Sequence, residues 1–229
     1  MLPKLLAICL VTIFPAVTAA ADNEDSIWAV LTATDSFSAN DGASRWHYWF
    51  DAQARYFDLG SGINQYLVRP GIGYEIGDNL SAWVGYARLR SRNRAGNVSD
   101  ENRYWQQLSW TAARWNEGTL SIRTRVEQRS LSTGDDLGIV LRVLAKYVRP
   151  LGDDGKRYVS IGLEPFIDLR DTDWGGDSGI AQNRASIGVG WRVSRQLTVE
   201  AGYMNQFVWV DSGGDRMNHV GVLNLKMKF

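Results

Sequence analysis

Apolar and polar side chains alternate along most of this chain, and the alternation limits the folds that the chain can adopt. In residues 46–56, WHYWFDAQARY, the even positions are aromatic or alanine and the odd positions are mostly polar. Residues 65–76 and 158–169 repeat the pattern. A side-chain period of two is typical of β-strands, whereas an amphipathic helix repeats its apolar positions every three to four residues. The sequence therefore predicts an all-β protein.

The predicted strands are long, and connections of alternating size join them. Further segments of this kind are 80–90, 101–112, 119–131, 137–149, 180–192, 196–209 and 218–229. Soluble strands usually have about 5–6 residues, whereas a tilted membrane strand needs about 9–11. Short turns at 77–79, 114–118 and 193–196 alternate with long loops at 91–100, 170–179 and 210–217. Outer-membrane barrels are built in this way, so we expect a transmembrane antiparallel up-and-down β-barrel.

Residues 1–21 have the form of a secretory signal peptide. Lys4 precedes an apolar run from Leu5 to Val17, and small residues follow the run. The run is shorter than the roughly 20 residues that a membrane-spanning helix needs. The single cysteine, Cys9, lies in this segment, so a mature chain of residues 22–229 would have no disulfide. We expect export of the chain and one barrel domain over residues 22–229.

The last predicted strand ends in an aromatic residue. Phe229 follows Met227 and Leu225 at two-residue steps. A terminal strand of this form resembles the assembly signal of bacterial outer-membrane proteins. The expected partners are the barrel-assembly machinery and outer-membrane lipid, and the expected location is the bacterial outer membrane.

Residues 122–131, IRTRVEQRSL, place a row of charges on one side of a strand. Arg123, Arg125, Glu127 and Arg129 fall at every second position. If the apolar sides face lipid, these charges face the interior, where an unpaired charge costs on the order of several kcal/mol. The same parity predicts a lumen charge network that also contains Arg55, Arg69, Arg103, Arg142, Glu164, Arg184 and Glu200. We expect the arginines of this row to pair with Glu127, Glu164 and Glu200 and to close the lumen.

Several segments resemble a known family. They are WVGYA at 83–87, ENRYWQQL at 101–108, RTRVEQRSL at 123–131, AQNRASIGVGW at 181–191, EAGYMNQF at 200–207 and NHVGVLNL at 218–225. Together they are similar to the Gram-negative β-barrel family catalogued as a domain of unknown function, DUF2490. The Arg-x-Arg-x-Glu-x-Arg block is the most specific part. The resemblance covers most of the mature chain and implies an outer-membrane barrel without implying an activity.

The number of strands is expected to lie between ten and twelve. Ten predicted strands begin at residue 46 or later, and an even number would return both chain ends to the periplasm. Residues 26–37, SIWAVLTATDSF, also read as a strand. They can lie within the lumen or pair beside residues 46–57. Barrels of about eight strands are just filled by their side chains and large porins have about 16–18 strands, so we expect a narrow lumen.

A structural barrel or a small-solute channel fits these features best, and two other classes stay open. A lipid-modifying outer-membrane enzyme would need a nucleophile, a base and an acid within hydrogen-bond reach. The two histidines, His47 and His219, lack a convincing triad partner, and no spacing suggests a metal or a cofactor. We expect neither histidine to be catalytic. A soluble ligand-binding barrel would instead place apolar sides inward and charges outward. Basic and acidic residues number 25 each, which gives no indication of nucleic-acid binding.

Overall fold

Within the described part of the chain, eleven strands form a closed barrel. The structure is a computed structural model and describes residues 22–37, 44–115, 117–210 and 214–229. The strands are β1 (Asp22–Ser36), β2 (Trp46–Phe57), β3 (Asn64–Gly77), β4 (Leu80–Arg92), β5 (Val98–Trp115), β6 (Gly118–Leu131), β7 (Leu137–Leu151), β8 (Arg157–Asp168), β9 (Gly179–Arg192), β10 (Leu197–Val208) and β11 (Arg216–Met227). Each strand pairs with its neighbours in the chain, and the ring closes between β1 and β11. The all-β barrel prediction is therefore confirmed. The predicted signal peptide, residues 1–21, lies outside the described residues.

The first strand pairs on both of its sides. β1 pairs antiparallel with β2, and this register places Trp28 opposite Arg55. It pairs parallel with β11, from Asp22 opposite Arg216 to Ala33 opposite Met227. The eleven strands lie within the expected range of ten to twelve, and the barrel is antiparallel, as expected, except at this one seam. With an odd number of strands the first and last run in the same direction, so only parallel pairing can close the ring and remove both edges.

The connections distinguish the two rims of the barrel. One rim, here called the turn rim, carries the connecting residues 78–79, 117, 152–156 and 193–196, and the chain ends there at Phe229. The opposite loop rim carries 58–63, 93–97, 132–136, 169–178, 209–210 and 214–215. The predicted loop at 91–100 is too long, because the β4–β5 ladder continues to the pair Arg92–Val98. Asp100 lies 3.2 Å from Arg88 across this ladder, so these polar residues remain in the strands.

Apolar side chains cover the outside of the barrel, and polar side chains fill much of its inside. Outward side chains that are roughly half exposed include Ile72, Val84, Ile161, Ile187 and Val189. Inward side chains that are less than a tenth exposed include Asp51, Arg69, Arg125, Glu127 and Glu164. This distribution is the reverse of the one in soluble proteins, where charged side chains are rarely buried. Within the described residues, no helix is long and apolar enough to cross a bilayer.

Glycines in β3 and β4 make room for an interior tryptophan. Trp105 points inward from β5 and is fully buried. Its ring lies against Gly71 and Gly85, where a Cβ atom on either residue would overlap it. Trp49 on β2 packs edge-on against Trp105, with 6.0 Å between the ring centroids. Side chains thus fill the interior at this height, as expected for a narrow barrel.

The parallel seam can be tested by cross-linking. Ala29 and Leu223 are register partners on β1 and β11, and both are exposed on the outside of the barrel. Paired strands bring Cα atoms within the range of about 4.4–6.8 Å that a disulfide spans. The variant Ala29→Cys/Leu223→Cys should form an intramolecular disulfide in the folded barrel on mild oxidation, seen as a gel shift that a reductant reverses.

A matched pair controls for random oxidation. Leu108 also faces outward but lies on β5, on the far side of the ring. The variant Ala29→Cys/Leu108→Cys should therefore stay reduced within a chain. Ala54 is the partner of Ala29 on β2. If β2 and β11 closed the barrel instead, Ala54→Cys would be the variant expected to link to Leu223→Cys, and the first pair would not form.

Candidate functional site

Charged side chains from seven strands meet in the middle of the barrel. We call them the mid-lumen cluster; its members are Asp51, Arg55, Arg69, Glu101, Arg103, Arg123, Arg125, Glu127, Arg129, Arg142, Glu164 and Arg184. Strand β6 contributes four of them at alternate positions, because successive side chains of a strand point to opposite faces. The cluster contains eight arginines and four carboxylates, an excess of four positive charges.

Glu127 is the centre of this cluster. It is 1% exposed, and its Oε2 accepts a hydrogen bond from Arg129 Nη2 at 2.6 Å. Its Oε1 accepts one from Arg142 Nη1 at 2.7 Å. Nitrogens of Arg103 and Arg125 lie 3.5 and 3.6 Å from its carboxylate oxygens. Four arginines therefore share one buried carboxylate, and hydrogen bonds between ionised groups are about twice as strong as neutral ones.

Arg142 joins Glu127 to a second buried carboxylate. Its Nη2 donates to Glu164 Oε1 at 2.8 Å, and Arg123 Nη2 donates to the same oxygen at 2.5 Å. The guanidinium of Arg142 thus bridges β6 and β8 through two different donors. This arrangement uses the fixed fork of arginine, which a lysine could not reproduce.

The two remaining carboxylates of the cluster each pair with an arginine nearby. Asp51 Oδ2 accepts from Arg69 Nη2 at 2.7 Å across the β2–β3 ladder. Glu101 Oε2 accepts from Arg103 Nη2 at 2.7 Å along β5. These pairs extend the cluster around the barrel wall.

Aromatic rings separate the arginines. The guanidinium of Arg125 lies 4.5 Å from the ring centroid of Trp105 and 5.2 Å from that of Trp49. The guanidinium of Arg142 lies 4.2 Å from the ring of Phe166. Desolvated cation–π contacts of this kind contribute about 2 kcal/mol or more. The rings therefore stabilise positive charges that the carboxylates leave uncompensated.

Glu200 belongs to a separate group near the turn rim. Its Oε2 accepts from Lys226 Nζ at 2.7 Å and from the hydroxyl of Tyr158 at 2.7 Å. Lys146 Nζ lies 3.6 Å from its Oε1. The expected pairing of Glu200 with the arginines of β6 is wrong, because its carboxylate pairs with Lys226 and Lys146 near the start of β10.

A cavity of about 510 Å³ opens at the loop rim above the cluster. Its lining includes Arg129, Phe166, Trp174, Gln182, Trp209 and Arg216. We call this cavity the vestibule. Its floor is formed by side chains that also contact the cluster, so the vestibule connects the cluster with the loop rim.

The β8–β9 loop, which borders the vestibule, is fastened to the β6–β7 loop. Asp173 accepts hydrogen bonds from the backbone N–H groups of Asp135 and Asp136 at 2.8 and 3.1 Å. These two bonds hold the pKa of the Asp173 carboxyl below its usual range. Trp174 covers Gly138, and its Nε1 donates to the carbonyl of Asp136 at 2.9 Å. The loop is therefore held in place by several contacts.

The structure brings ten of the predicted lumen residues together, and it adds groups that the sequence interpretation missed. Glu101 was missed, although it stands in step with Arg103 on a predicted strand, so the same parity would have identified it. Gln107, which accepts from Arg125 Nε at 2.8 Å, was missed as well. No sequence signal indicates which aromatic rings would stack on which arginine.

The other singled-out residues lie outside the cluster. Leu225 and Phe229 are exposed near the turn rim, and Met227 is the last residue of β11. His47 Nε2 lies 2.9 Å from Glu75. On the outside of the barrel, His219 Nδ1 lies 2.7 Å from the hydroxyl of Tyr203. Among the residues that the structure describes, no group of three or more potential ligands is placed to hold a metal ion.

Comparison with known proteins places the chain in a family. A family model described as "Protein of unknown function (DUF2490)" matches residues 25–218. The chain belongs to the DUF2490 family. The resemblance noted from the sequence is thereby confirmed. An uncharacterized protein of Methylorubrum extorquens is 31% identical over 226 residues, which are 98% of this chain and 96% of the relative. A solved structure described as the NanC porin aligns with 84% of this chain and 93% of its own, at 11% identity and a TM-score of 0.49.

The central position of Glu127 in this DUF2490 protein can be tested by one substitution. Glu127→Gln keeps the shape of the side chain but removes the charge that four arginines share. Breaking a buried ion pair costs about 3–5 kcal/mol, mostly from the charge left behind. We expect a loss of that size in the free energy of unfolding, measured by urea titration of the barrel in detergent micelles.

Glu117→Gln is the matched control. Glu117 is exposed on the turn rim, 3.5 Å from the exposed Arg149. Exposed pairs contribute little to stability, so this variant should unfold like the wild type. Equal effects of the two substitutions would show that Glu127 does not organise the interior.

Proposed function

We propose that this DUF2490 protein is an integral outer-membrane β-barrel whose lumen is closed at mid-height. One observation supports this proposal above the others: the closed wall is apolar outside and charged inside. In lipid every backbone polar group must be satisfied within the protein, which a closed barrel achieves. Outer-membrane lipid and the barrel-assembly machinery are its proposed partners.

Aromatic side chains at both rims support the membrane location. Outward tryptophans near the turn rim are Trp46, Trp110, Trp115 and Trp191. Outward tyrosines toward the loop rim are Tyr56, Tyr66 and Tyr104. Outer-membrane barrels carry such girdles where the bilayer meets water, with an apolar band between them. A soluble barrel would expose this band to water.

The exposure of the interior side chains supports a closed lumen. Arg125 and Trp105 are 0% exposed and Glu127 is 1% exposed, although they point into the barrel. A water-filled pore would leave such side chains accessible to solvent. We therefore favour a structural barrel at rest, or a channel that conducts only after the mid-lumen cluster rearranges.

The lipid-modifying alternative gains no support from the histidines. His219 contacts Tyr203 on the outside of the barrel, whereas His47 lies beside Glu75 at the turn rim. The two side chains are therefore far apart. Neither contact includes a serine, the nucleophile that an acyl hydrolase of this kind would use.

Conductance tests the closed lumen. In a planar bilayer the wild type should conduct little. Arg125→Ala removes a guanidinium packed between Trp49 and Trp105 and takes one positive charge from beside Glu127. The variant should show a larger and more cation-preferring conductance and a lower melting temperature.

Arg149→Ala is the control, because Arg149 is exposed at the turn rim and should leave the conductance unchanged. Steady nanosiemens conductance of the wild type would contradict a closed lumen. So would an Arg125→Ala variant with the stability and conductance of the wild type.

Deleting Phe229 tests the proposed location and assembly. Export should continue, but insertion into the outer membrane should fall, because the last strand would lose its terminal aromatic residue. Cell fractionation and heat-modifiability gels measure folded barrel in the outer membrane. Lys228→Ala changes the neighbouring residue and should leave the yield unchanged. An undiminished yield after deletion of Phe229 would contradict the assembly role.

A further inference from the structure

Two arginines of the mid-lumen cluster have no carboxylate partner. Six of the eight lie within 4.0 Å of a carboxylate oxygen. Arg55 and Arg184 make no such pair with any residue that the structure describes. Both point inward, and Arg55 is 6% exposed. A buried charge without a partner is unfavourable, so these two positions mark where the interior lacks negative charge.

Glutamines hold both guanidinium groups in place. Arg55 Nε donates to Gln53 Oε1 at 2.8 Å, and its Nη1 donates to Gln65 Oε1 at 3.0 Å. When the side-chain amide of Gln182 is oriented with its oxygen toward Arg184, that oxygen accepts hydrogen bonds from Arg184 Nε at 2.7 Å and from Arg184 Nη2 at 3.1 Å. Amide oxygens fix the direction of a guanidinium but leave its charge uncompensated. Glutamate has nearly the same shape and would have neutralised each charge.

The two arginines converge on one buried indole. The guanidinium carbons of Arg55 and Arg184 lie 4.1 and 4.9 Å from the ring centroid of Trp28. Trp28 is 4% exposed, and its Nε1 has no hydrogen-bond acceptor among the described residues. In the same part of the chain the hydroxyl of Ser26, on the same face of β1, is also buried without a partner. A buried donor without an acceptor is unfavourable, and this part of the interior therefore lacks a hydrogen-bond acceptor as well as a negative charge.

We propose that Arg55, Arg184 and Trp28 form a binding site for a small oxyanion, such as phosphate. Guanidinium groups bind oxyanions through paired, charge-assisted hydrogen bonds. The indole N–H and the Ser26 hydroxyl add neutral donors nearby. This proposal rests on the lumen alone and holds wherever the barrel is located.

The vestibule supplies a route to this site. Phe166 and Gln182 line the vestibule. Phe166 also lies against Arg184, with 4.6 Å between the ring centroid and the guanidinium carbon. The floor of the cavity is thus one side chain away from Arg184. The charged lining residues of the vestibule are Arg129, Arg216, Asp168 and Asp177, so their formal charges balance and an anion meets no net charge of its own sign there.

Thermal melting and calorimetry of the purified full-length barrel test the site with inorganic phosphate as the probe. A detergent without phosphate keeps lipid headgroups out of the measurement. At equal ionic strength the wild type should melt at a higher temperature in phosphate than in chloride, and the shift should follow a saturating binding curve. Isothermal titration should give the same affinity.

The double variant Gln65→Glu/Gln182→Glu places carboxylates beside both arginines with little change of shape. Gln53 is kept, because its amide nitrogen donates to the carboxylate of Asp51 at 2.8 Å. In chloride it should melt at a higher temperature than the wild type, and phosphate should bind at least about tenfold more weakly, the equivalent of one lost charge-assisted bond. Gln196→Glu, on the exposed turn 193–196, is the control and should respond to phosphate like the wild type. If the double variant does not fold, Gln182→Glu alone gives the same comparison.

Phosphate also stabilises proteins in general by exclusion from their surfaces, and that effect would be equal in all variants. An identical phosphate response in the wild type and the double variant would overturn the site. A wild-type shift that rises without saturation, with no heat of binding, would overturn it as well.

Discussion

The ion pairs of Glu127 hold the mid-lumen cluster together. Arg129, Arg142, Arg103 and Arg125 approach this carboxylate from β5, β6 and β7, and Arg142 carries the connection on to Glu164 on β8. The barrel places most of its large apolar side chains on the outer surface, so buried residues such as Leu67, Leu89 and Val140 supply only part of the interior. Matched charges and stacked rings supply the rest, and their geometry must be well satisfied because the interior excludes water.

The narrow lumen makes this network possible. Arg125 on β6 stacks on Trp49 of β2, four strands away around the ring, so this contact crosses the interior. Gly71 and Gly85 allow Trp105 to lie flat against the wall, which leaves room for Arg125 between the two indoles. A wider barrel would hold the same side chains apart in water, where pairs of charges contribute little. Strand number, small wall residues and charge pairing therefore depend on one another.

The sequence predicts whether a side chain faces the lumen or the outside better than it predicts which other side chains it contacts. Because the period of a strand is two, the inward set that includes Arg123, Glu127 and Glu164 follows from parity alone. Which inward charges meet depends on strand tilt and on the register across the lumen, and these are properties of the closed barrel. Glu200 shows the difference, since it faces inward as expected but pairs with Lys226 rather than with an arginine. The parallel seam was unpredictable for a related reason: residues 26–37 alternate in the same way whichever neighbour they pair with.

Some arginines of the interior are held by carboxylates and others by glutamine amides, and this difference explains how a closed barrel can bind an anion. Six arginines lie within 4.0 Å of a carboxylate oxygen, and moving any of them would break a buried ion pair. Arg55 and Arg184 are oriented by neutral amides, so an anion can arrive or leave beside them without breaking a protein ion pair. Phe166 and Gln182, which contact Arg184, also line the vestibule at the loop rim. Exchange of an anion at this end therefore requires far less rearrangement than opening the lumen, and a barrel that does not conduct can still bind a ligand inside.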